Sequence, residues 1–310
     1  MQASFTGCDA VLPEPSPGIG GPAWLVTPGI SPGRFATAVG CGAHVVLLDL
    51  EDAVPPGSKA AARAAVFAFV SARARGAGGP VLGVRINAVD SADGQQDIAA
   101  MAEWNVWPDL VVVPKAESGG AVDAVIRAAC AARAVTRVWA LIESPRALVA
   151  LEEIVNMPGL AGVLFGAADY AAAAGCRLTS RALWYPRSQL VTAAAAAGIA
   201  AVDSPFFALN DRGGLRQDAV EAAELGFCGK VAVHPQQVSV IAEAFAPTAQ
   251  ELRAARAVLQ AADAAHGSIT TTGGAMVGPP VVAAARALIR RATPATDNRG
   301  TSPVPAPKGN

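Results

Sequence analysis

The chain has 310 residues, of which 52% are hydrophobic and 16% charged, and its formal net charge is −1. This length fits one large domain or two average ones, and it allows a sizeable core without disulfides. The balanced charge lacks the basic footprint of nucleic-acid-binding proteins, and no apolar stretch approaches the ~20 residues of a membrane span. We therefore expect neither a nucleic-acid partner nor a membrane partner. The five cysteines form no CxxC pair and no secretory signal is seen, which predicts a cytoplasmic protein.

The two ends of the sequence differ in composition from the rest. Residues 1–22 are rich in Pro and Gly and lack periodicity, and residues 293–310 are similar. Such segments bury too little apolar surface to offset the entropy of ordering. We predict a flexible N-terminal arm over residues 1–22 and a disordered tail over residues 293–310.

Between these ends, short apolar runs alternate with alanine-rich segments of helical character. This alternation favours a parallel sheet covered by helices. Eight such units over roughly 210 residues predict a closed (β/α)8 barrel, an α/β fold, within residues 23–245. A doubly wound sheet that binds a dinucleotide needs a GxGxxG turn after its first strand, and the segment PGISPGRF does not fit. The predicted strands cover residues 24–27, 45–50, 82–87, 110–114, 138–142, 162–165, 199–202 and 230–233.

A helical extension is predicted after the barrel, over residues 246–292. It contains two helices, at residues 248–265 and 280–291, and the segment HGSITTTGGAMVGPP between them is typical of a flexible lid or crossover. Within the barrel, the predicted helices cover residues 34–39, 59–74, 98–102, 121–134, 146–155, 183–197, 218–225 and 236–244.

Polar residues stand at nearly every carboxyl end of a predicted strand. In (β/α)8 barrels these ends carry the catalytic residues. A single carboxylate in such a position is often only a helix cap or a solvated loop group, but that explanation does not account for so many polar ends on one rim. The residues are Asp49, Glu51, Asp52, Arg85, Asn87, Lys115, Glu143, Asp169, Asp203 and His234.

Two of these carboxylates, Glu143 and Asp169, are hard oxygen ligands that suit Mg2+, or Mn2+, better than zinc. Two protein ligands leave positions open for water and for a chelating keto or hydroxy acid, whose carbonyl the metal would polarise. Arg85 offers a planar, permanently charged fork for the substrate carboxylate or the enolate oxygen. Glu51 and Asp52 are expected behind the metal, where they orient bound water or assist proton transfer.

Pro205 lies in the DSPF segment after the seventh predicted strand. Because this segment also reaches the catalytic end of the barrel, we expect it to shape the pocket for the acyl group.

Five segments of the chain resemble the citrate lyase β-subunit-like group of the HpcH/HpaI aldolase superfamily, across residues 24–291. They are WLVTPGISPGRF, VVLLDLEDAVPPGSKAAAR, VRINAVDS, LIESPRAL followed by VLFGAADY, and LGFCGKVAVHPQQVSVIAEAFAPT. The resemblance implies the (β/α)8 fold, Mg2+ ligands at Glu143 and Asp169, a substrate-carboxylate arginine at Arg85, and an acidic pair, Glu51 and Asp52, that lies behind the metal ligands.

The resemblance also concerns coenzyme A and subunit assembly. It implies that Arg34 and Lys59 approach the phosphates of coenzyme A. It further implies a homo-oligomer, a trimer or hexamer, in which the C-terminal segment of one subunit closes over its neighbour's site. Many members have an Asp in that segment which acts as an acid or base, whereas Gly278 stands there in this chain. Loss of general acid–base assistance costs about 10²–10⁴ in rate.

Three hypotheses follow for the reaction. The first is a Mg2+-dependent lyase that cleaves a β-hydroxyacyl-CoA, such as citryl-CoA, to acetyl-CoA and a 2-keto acid, with Asp52 or a bound water as base. The second is an aldolase on free 2-keto acids; such enzymes typically use a His base, but His44 lies at the wrong end of the barrel and His234 is at least as typical of a structural residue. The third is a catalytically weakened homologue that binds a CoA ester or a keto acid, which Gly278 keeps open.

Overall fold

The computed structural model describes residues 21–73, 78–103, 107–266 and 269–292. The chain divides between Phe245 and Ala246 into two compact units. The predicted tail lies outside the described residues, as does the predicted arm apart from residues 21 and 22. The predicted division into arm, barrel, extension and tail therefore stays a prediction. In the described ranges, no helix is both long enough and apolar enough to cross a membrane.

The first unit is a closed barrel of eight parallel strands, which confirms the predicted (β/α)8 fold. Each strand pairs with its neighbour in sequence, and β8 closes the barrel on β1. The strands are β1 (Ala23–Pro28), β2 (Val45–Asp49), β3 (Val81–Arg85), β4 (Leu110–Val113), β5 (Arg137–Ile142), β6 (Leu160–Phe165), β7 (Ala200–Asp203) and β8 (Gly229–Ala232).

Helices connect the strands. Short 3-10 turns at Pro32–Arg34 and Pro56–Ser58 precede the first two. The helices of this unit are α1 (Phe35–Gly40), α2 (Lys59–Ala72), α3 (Ala92–Glu103), α4 (Gly119–Ala131), α5 (Pro145–Val149), α6 (Leu151–Val155), α7 (Ala167–Ala174), α8 (Ser180–Ala196), α9 (Arg212–Leu225) and α10 (Pro235–Phe245).

Four of these helical regions differ from the sequence-based prediction by more than a few residues. Helix α9 begins at Arg212, before the predicted start at residue 218, because its first residues, RGGLRQ, are mostly polar or glycine. Residues 146–155 form two short helices, α5 and α6, because the backbone at Ala150 leaves the helical conformation. The first half of α3 was missed because its residues, ADGQQD, are polar and give no apolar period. Helix α7 was not predicted, since it is short and only Gly166 separates it from β6.

The barrel interior is filled by apolar side chains. Because side chains two residues apart on a strand point to the same face, Asp49 continues the inward row of Val45 and Leu47, and Glu143 continues that of Leu141. The apolar interior thus ends in charged groups at the carboxyl ends of the strands. The buried interior residues are Trp24, Val45, Leu47, Leu110, Val112, Trp139, Leu141, Leu164, Val202 and Val231.

The second unit consists of two helices and a β-hairpin: α11 (Ala249–Ala264), β9 (Thr270–Thr272), β10 (Ala275–Val277) and α12 (Pro279–Ala292). Thr248 and Glu251 form a capping box at the start of α11. The segment predicted as a flexible lid or crossover thus contains an antiparallel hairpin. Its turn residues Gly273 and Gly274 both have positive φ, which the type I′ two-residue hairpin turn requires. Gly278 follows β10 directly.

Candidate active site

Two oppositely charged residues end neighbouring strands of the barrel. Asp49 ends β2, Arg85 ends β3, and the two are paired in the register of the sheet. The fully buried carboxylate of Asp49 accepts hydrogen bonds from Nε and Nη2 of Arg85, each at 2.7 Å. It also accepts from the backbone amides of Glu51 and Ala53. Burial opposes the charge of Asp49, but Arg85 and the two amides hold the pKa of this carboxyl below its usual value. The bidentate pair fixes the orientation of Arg85.

The predicted acidic pair lies beside Arg85. Oε2 of the buried Glu51 is 3.1 Å from Nη1 of Arg85, and Oε1 is 3.1 Å from Nζ of Lys115. Asp52 is exposed, with Oδ2 at 3.7 Å from the same Nη1. Burial raises the pKa of Glu51, although the charges of Arg85 and Lys115 oppose this effect.

Lys115 joins the acidic pair to the predicted metal ligand Glu143. It directly follows Pro114 at the end of β4 and has a φ of 51°, which is unusual for a residue other than glycine. Its backbone amide donates a hydrogen bond of 2.7 Å to Oε1 of Glu143. Both Lys115 and Asp49 are visible in the sequence as strand-end residues, but residue type and spacing assigned them no role.

Glu143 is buried directly after β5, and Asp169 is exposed in the first turn of α7. Burial and the charge of Glu51 raise the pKa of Glu143 to about 8, and the charge of Asp169 adds to this effect. Gly166, between β6 and α7, packs against Glu143 so closely that a Cβ atom there would lie 2.4 Å from the Cβ of Glu143. A glycine is therefore needed where this turn passes the strand end.

These charged side chains form what we call the rim cluster. It has five carboxylates and two cationic groups, and would carry a net charge of −3 if all were ionised; its members are Asp49, Glu51, Asp52, Arg85, Lys115, Glu143 and Asp169. A divalent cation would relieve the repulsion that raises the pKa of Glu143. Across the described ranges, no three or more His, Cys, Asp or Glu side chains are placed to share a metal ion. With only two carboxylate ligands from the protein, a cation held by Glu143 and Asp169 would keep sites for water and substrate, as Mg2+ commonly does.

The side chain of Lys59, at the start of α2, contacts the preceding loop, between β2 and α2. Its Nζ donates to the carbonyl oxygens of Leu50 and Glu51, at 2.8 and 2.7 Å, and to Oδ1 of Asn87. These acceptors use all three ammonium protons, so in this arrangement Lys59 fastens the loop after β2 to the end of β3. Its predicted contact with a coenzyme A phosphate stays a prediction.

Arg34 and Pro205 lie apart from the contacts of the rim cluster. Arg34 is exposed after β1, and its side chain makes no ion pair or hydrogen bond with another residue in the described ranges. Pro205 lines a cavity of about 470 Å3 that the first turns of α8 and α9 border, together with Phe206 and Phe207. Their roles in binding substrate remain predictions.

The two histidines considered for an aldolase base have structural partners. The backbone amide of His234 donates to Oε1 of Gln237, and its Nδ1 accepts from the amide of Gln236 at the start of α10. His44 precedes β2, and its Nδ1 accepts from the amide of Ala23, at the amino end of the strands. Neither contact involves the rim cluster.

The model of the HpcH/HpaI aldolase/citrate lyase family matches residues 23–235, from the first strand of the barrel to the start of α10. The chain belongs to this family. A relative in the same family, the citrate lyase subunit beta-like protein of Mycobacterium tuberculosis, is 35% identical over 283 residues, which cover 89% of this chain and 97% of the relative. An L-malyl-CoA/beta-methylmalyl-CoA lyase of Cereibacter sphaeroides is 31% identical over 298 residues, which cover 86% of this chain and 93% of that lyase.

Solved structures agree with this membership. CitE from Mycobacterium tuberculosis, in complex with magnesium, acetoacetate and coenzyme A, matches with a TM-score of 0.76 at 34% identity, covering 88% of this chain and 98% of CitE. The citrate lyase beta subunit of the same organism, complexed with oxaloacetate and magnesium, matches with a TM-score of 0.64 at 34% identity, covering 74% and 98%. The predicted family, its fold and the assignment of the chain to an enzyme family are confirmed.

Proposed function

We propose that this chain is a Mg2+-dependent carbon–carbon lyase that cleaves a β-hydroxyacyl-CoA to acetyl-CoA and a 2-keto acid. Citryl-CoA, which would give oxaloacetate, is the first substrate to test, and Mn2+ could replace Mg2+. The observation that carries the proposal is the buried Glu143, with its raised pKa, close to Asp169 and to the cations of the rim cluster. The relatives named as lyases, and the CitE structure with magnesium and coenzyme A, support it.

Glu143 and Asp169 would hold the metal, which when bound supplies Lewis-acid polarisation of the keto-acid oxygen. Arg85 binds Asp49 through Nε and Nη2, and its Nη1 is near Glu51 and Asp52. The substrate carboxylate or the enolate oxygen would bind at Nη1, in exchange for part of its contact with those two carboxylates. The fixed orientation of Arg85 means that little reorganisation is needed when negative charge develops on that oxygen.

Two neighbouring carboxylates would take different roles because their surroundings differ. Asp52 is exposed and near Arg85, so it is the proposed base for the hydroxyl proton of the substrate. Glu51 is buried and its pKa is raised, so it is proposed to orient water and to hold Lys115. Both proposals place proton transfer within the rim cluster, without help from position 278.

For coenzyme A, the exposed Arg34 is the proposed phosphate partner, and Lys59 could contribute only by leaving acceptors in its loop. We further propose that Pro205 borders the acyl pocket. A cytoplasmic homo-oligomer, a trimer or hexamer, completes the proposal.

Removing either proposed metal ligand tests the function directly. Glu143→Gln and Asp169→Asn are each expected to abolish Mg2+-dependent cleavage of citryl-CoA and to weaken Mg2+ binding, measured by calorimetry. Glu224→Gln, at an exposed carboxylate on α9, serves as the matched control. Full activity in either ligand variant would exclude this metal site.

An aldolase acting on free 2-keto acids is the second candidate, and the engagement of Lys59 favours it, because one predicted phosphate partner is already bound. Titration with Mg2+ and oxaloacetate, followed by acetyl-CoA, separates the candidates. Turnover that needs coenzyme A supports the lyase, and turnover of free hydroxy keto acids supports the aldolase. Tight binding without turnover supports the weakened homologue suggested by Gly278.

A further inference from the structure

We propose that Lys115 is a substrate-binding residue that selects 2-keto acids with a second carboxylate, such as oxaloacetate, over those with one, such as pyruvate. The inference rests on the proposed function, because it assigns the ligand class of that same site.

The position of Lys115 in the barrel is the first argument. Strand β4 lies between β3, which ends at Arg85, and β5, which directly precedes Glu143. A keto acid that extends from Glu143 to Arg85 therefore passes the strand end at which Lys115 stands. The ammonium is held on this side by its contact with Glu51, 3.1 Å away.

The second argument is the difference in engagement between the two cations. Arg85 is 16% exposed and contacts three carboxylates: Asp49 through Nε and Nη2, and Glu51 and Asp52 through Nη1. Lys115 is 55% exposed, and within the described residues its ammonium has one ion-pair partner, Glu51. An ammonium has three protons to donate. Lys115 can therefore bind a ligand carboxylate while Arg85 remains fixed to Asp49.

The backbone supports the same role. Lys115 adopts a left-handed backbone conformation, which non-glycine residues rarely do. In this conformation its backbone amide donates a hydrogen bond to Glu143. Residues held in such conformations cluster at binding and catalytic sites. Here the backbone meets the proposed metal ligand while the side chain reaches across to Glu51.

Two cations match two carboxylates. The first carboxylate of any 2-keto acid would lie between the metal and Arg85, so a second one needs another positive partner. Without Lys115, the second carboxylate of a bound dicarboxylate would leave water and gain no cationic partner, which weakens binding. A monocarboxylate has no such group, so it loses no interaction. Lys115 is thus expected to matter for oxaloacetate and not for pyruvate.

The test compares Lys115→Met with wild type in calorimetric titrations of the Mg2+-loaded protein with oxaloacetate and with pyruvate. We expect oxaloacetate binding to weaken about tenfold, as for a lost charge-assisted hydrogen bond, while pyruvate binding stays nearly unchanged. Lys115→Arg should recover most of the loss. Arg127→Met is the control for loss of a surface charge, because the Arg127 side chain on α4 is 73% exposed and pairs with Asp123.

Mg2+ binding is measured separately, because the contact with Glu143 comes from the backbone and survives replacement of the side chain. Binding of Mg2+ alone should be equal or tighter in Lys115→Met, since a nearby positive charge is removed. Equal weakening for both keto acids, no weakening for either, or weaker Mg2+ binding would overturn the inference. A wild-type protein that binds neither keto acid with Mg2+ would instead refute the proposed function, and this inference with it.

Discussion

The rim cluster can be compared with a second group of charged residues, which we call the wall cluster: Arg187 on α8, Asp203 on β7, Asp218 on α9 and Lys230 on β8. Asp203 and Lys230 are fully buried. Nζ of Lys230 lies 2.6 Å from Oδ2 of Asp203 and 2.5 Å from Oδ2 of Asp218, and Nη2 of Arg187 lies 2.9 Å from Oδ2 of Asp203. Two cations thus meet two carboxylates.

The two clusters differ in charge balance and in access to solvent. The charges of the wall cluster balance, and its groups pair with one another and join strands to helices. Asp203 and Lys230 are enclosed, whereas Arg187 and Asp218 also line the cavity beside Pro205. The rim cluster has an excess of carboxylates, a half-exposed lysine and a carboxyl group whose pKa is about 8. Unbalanced charge at the mouth of a barrel indicates a site for a ligand, whereas balanced charge in its wall indicates a role in stability.

The largest expected effect concerns the wall cluster. Lys230→Met leaves Arg187 as the one cation of the wall cluster for Asp203 and Asp218. Removing one partner from a buried ion pair costs about 3–5 kcal/mol. Urea unfolding should show this loss, while the folded protein keeps its Mg2+ affinity. Arg216→Met is the matched control, because its pair with Glu243 is on the surface, where such pairs contribute about 0–1 kcal/mol. A Lys230→Met variant as stable as wild type would contradict the structural role.

A smaller effect is expected at the contact between Gly166 and Glu143. In Gly166→Ala the added methyl group meets the Cβ of Glu143, and overpacking of this kind costs about 1–3 kcal/mol. Because Glu143 must move, Mg2+ affinity should fall together with stability. Gly40→Ala, with open space around the added atom, should change neither. Mg2+ affinity at the wild-type level in Gly166→Ala would show that the position of Glu143 does not depend on this contact.

A further test varies the pH, first with the wild-type chain. Glu143 has a pKa of about 8 in the folded chain, against 4.5 for an ordinary glutamate. Between these values the folded state holds a proton that the unfolded state has lost, so the stability of the metal-free protein should fall as pH rises from 4.5 towards 8. Unfolding measured across this range should show a smaller decline for Glu143→Gln.

The binding of Mg2+ gives a second test of whether Glu143 is protonated in the metal-free protein. Mg2+ needs the ionised carboxylate, so its binding at pH 7 should release about one proton. Titrations in two buffers of different ionisation enthalpy measure that proton. Binding without proton release would place Glu143 in its ionised form before the metal arrives.

The sequence by itself determined the barrel and much of the rim. Eight apolar runs alternating with helical segments are accommodated by a closed parallel sheet. The carboxyl ends of such strands meet at one rim, so the sequence alone groups Arg85, Glu51, Asp52 and Glu143. Residue type then suggested hard-metal chemistry for Glu143, because carboxylate oxygen is the donor that Mg2+ prefers.

Only the tertiary structure decided how these groups pair. Asp49 binds Arg85 because the register of β2 and β3 places them side by side, and local sequence pattern does not specify that register. Lys59 turns inward because its loop brings backbone carbonyls within reach. Lys115 meets Glu51 and Glu143 through a left-handed backbone that no apolar period reveals. Periodicity fixes which face a side chain takes, whereas its partner depends on strand register, backbone conformation and side-chain direction, which are set when the whole barrel closes.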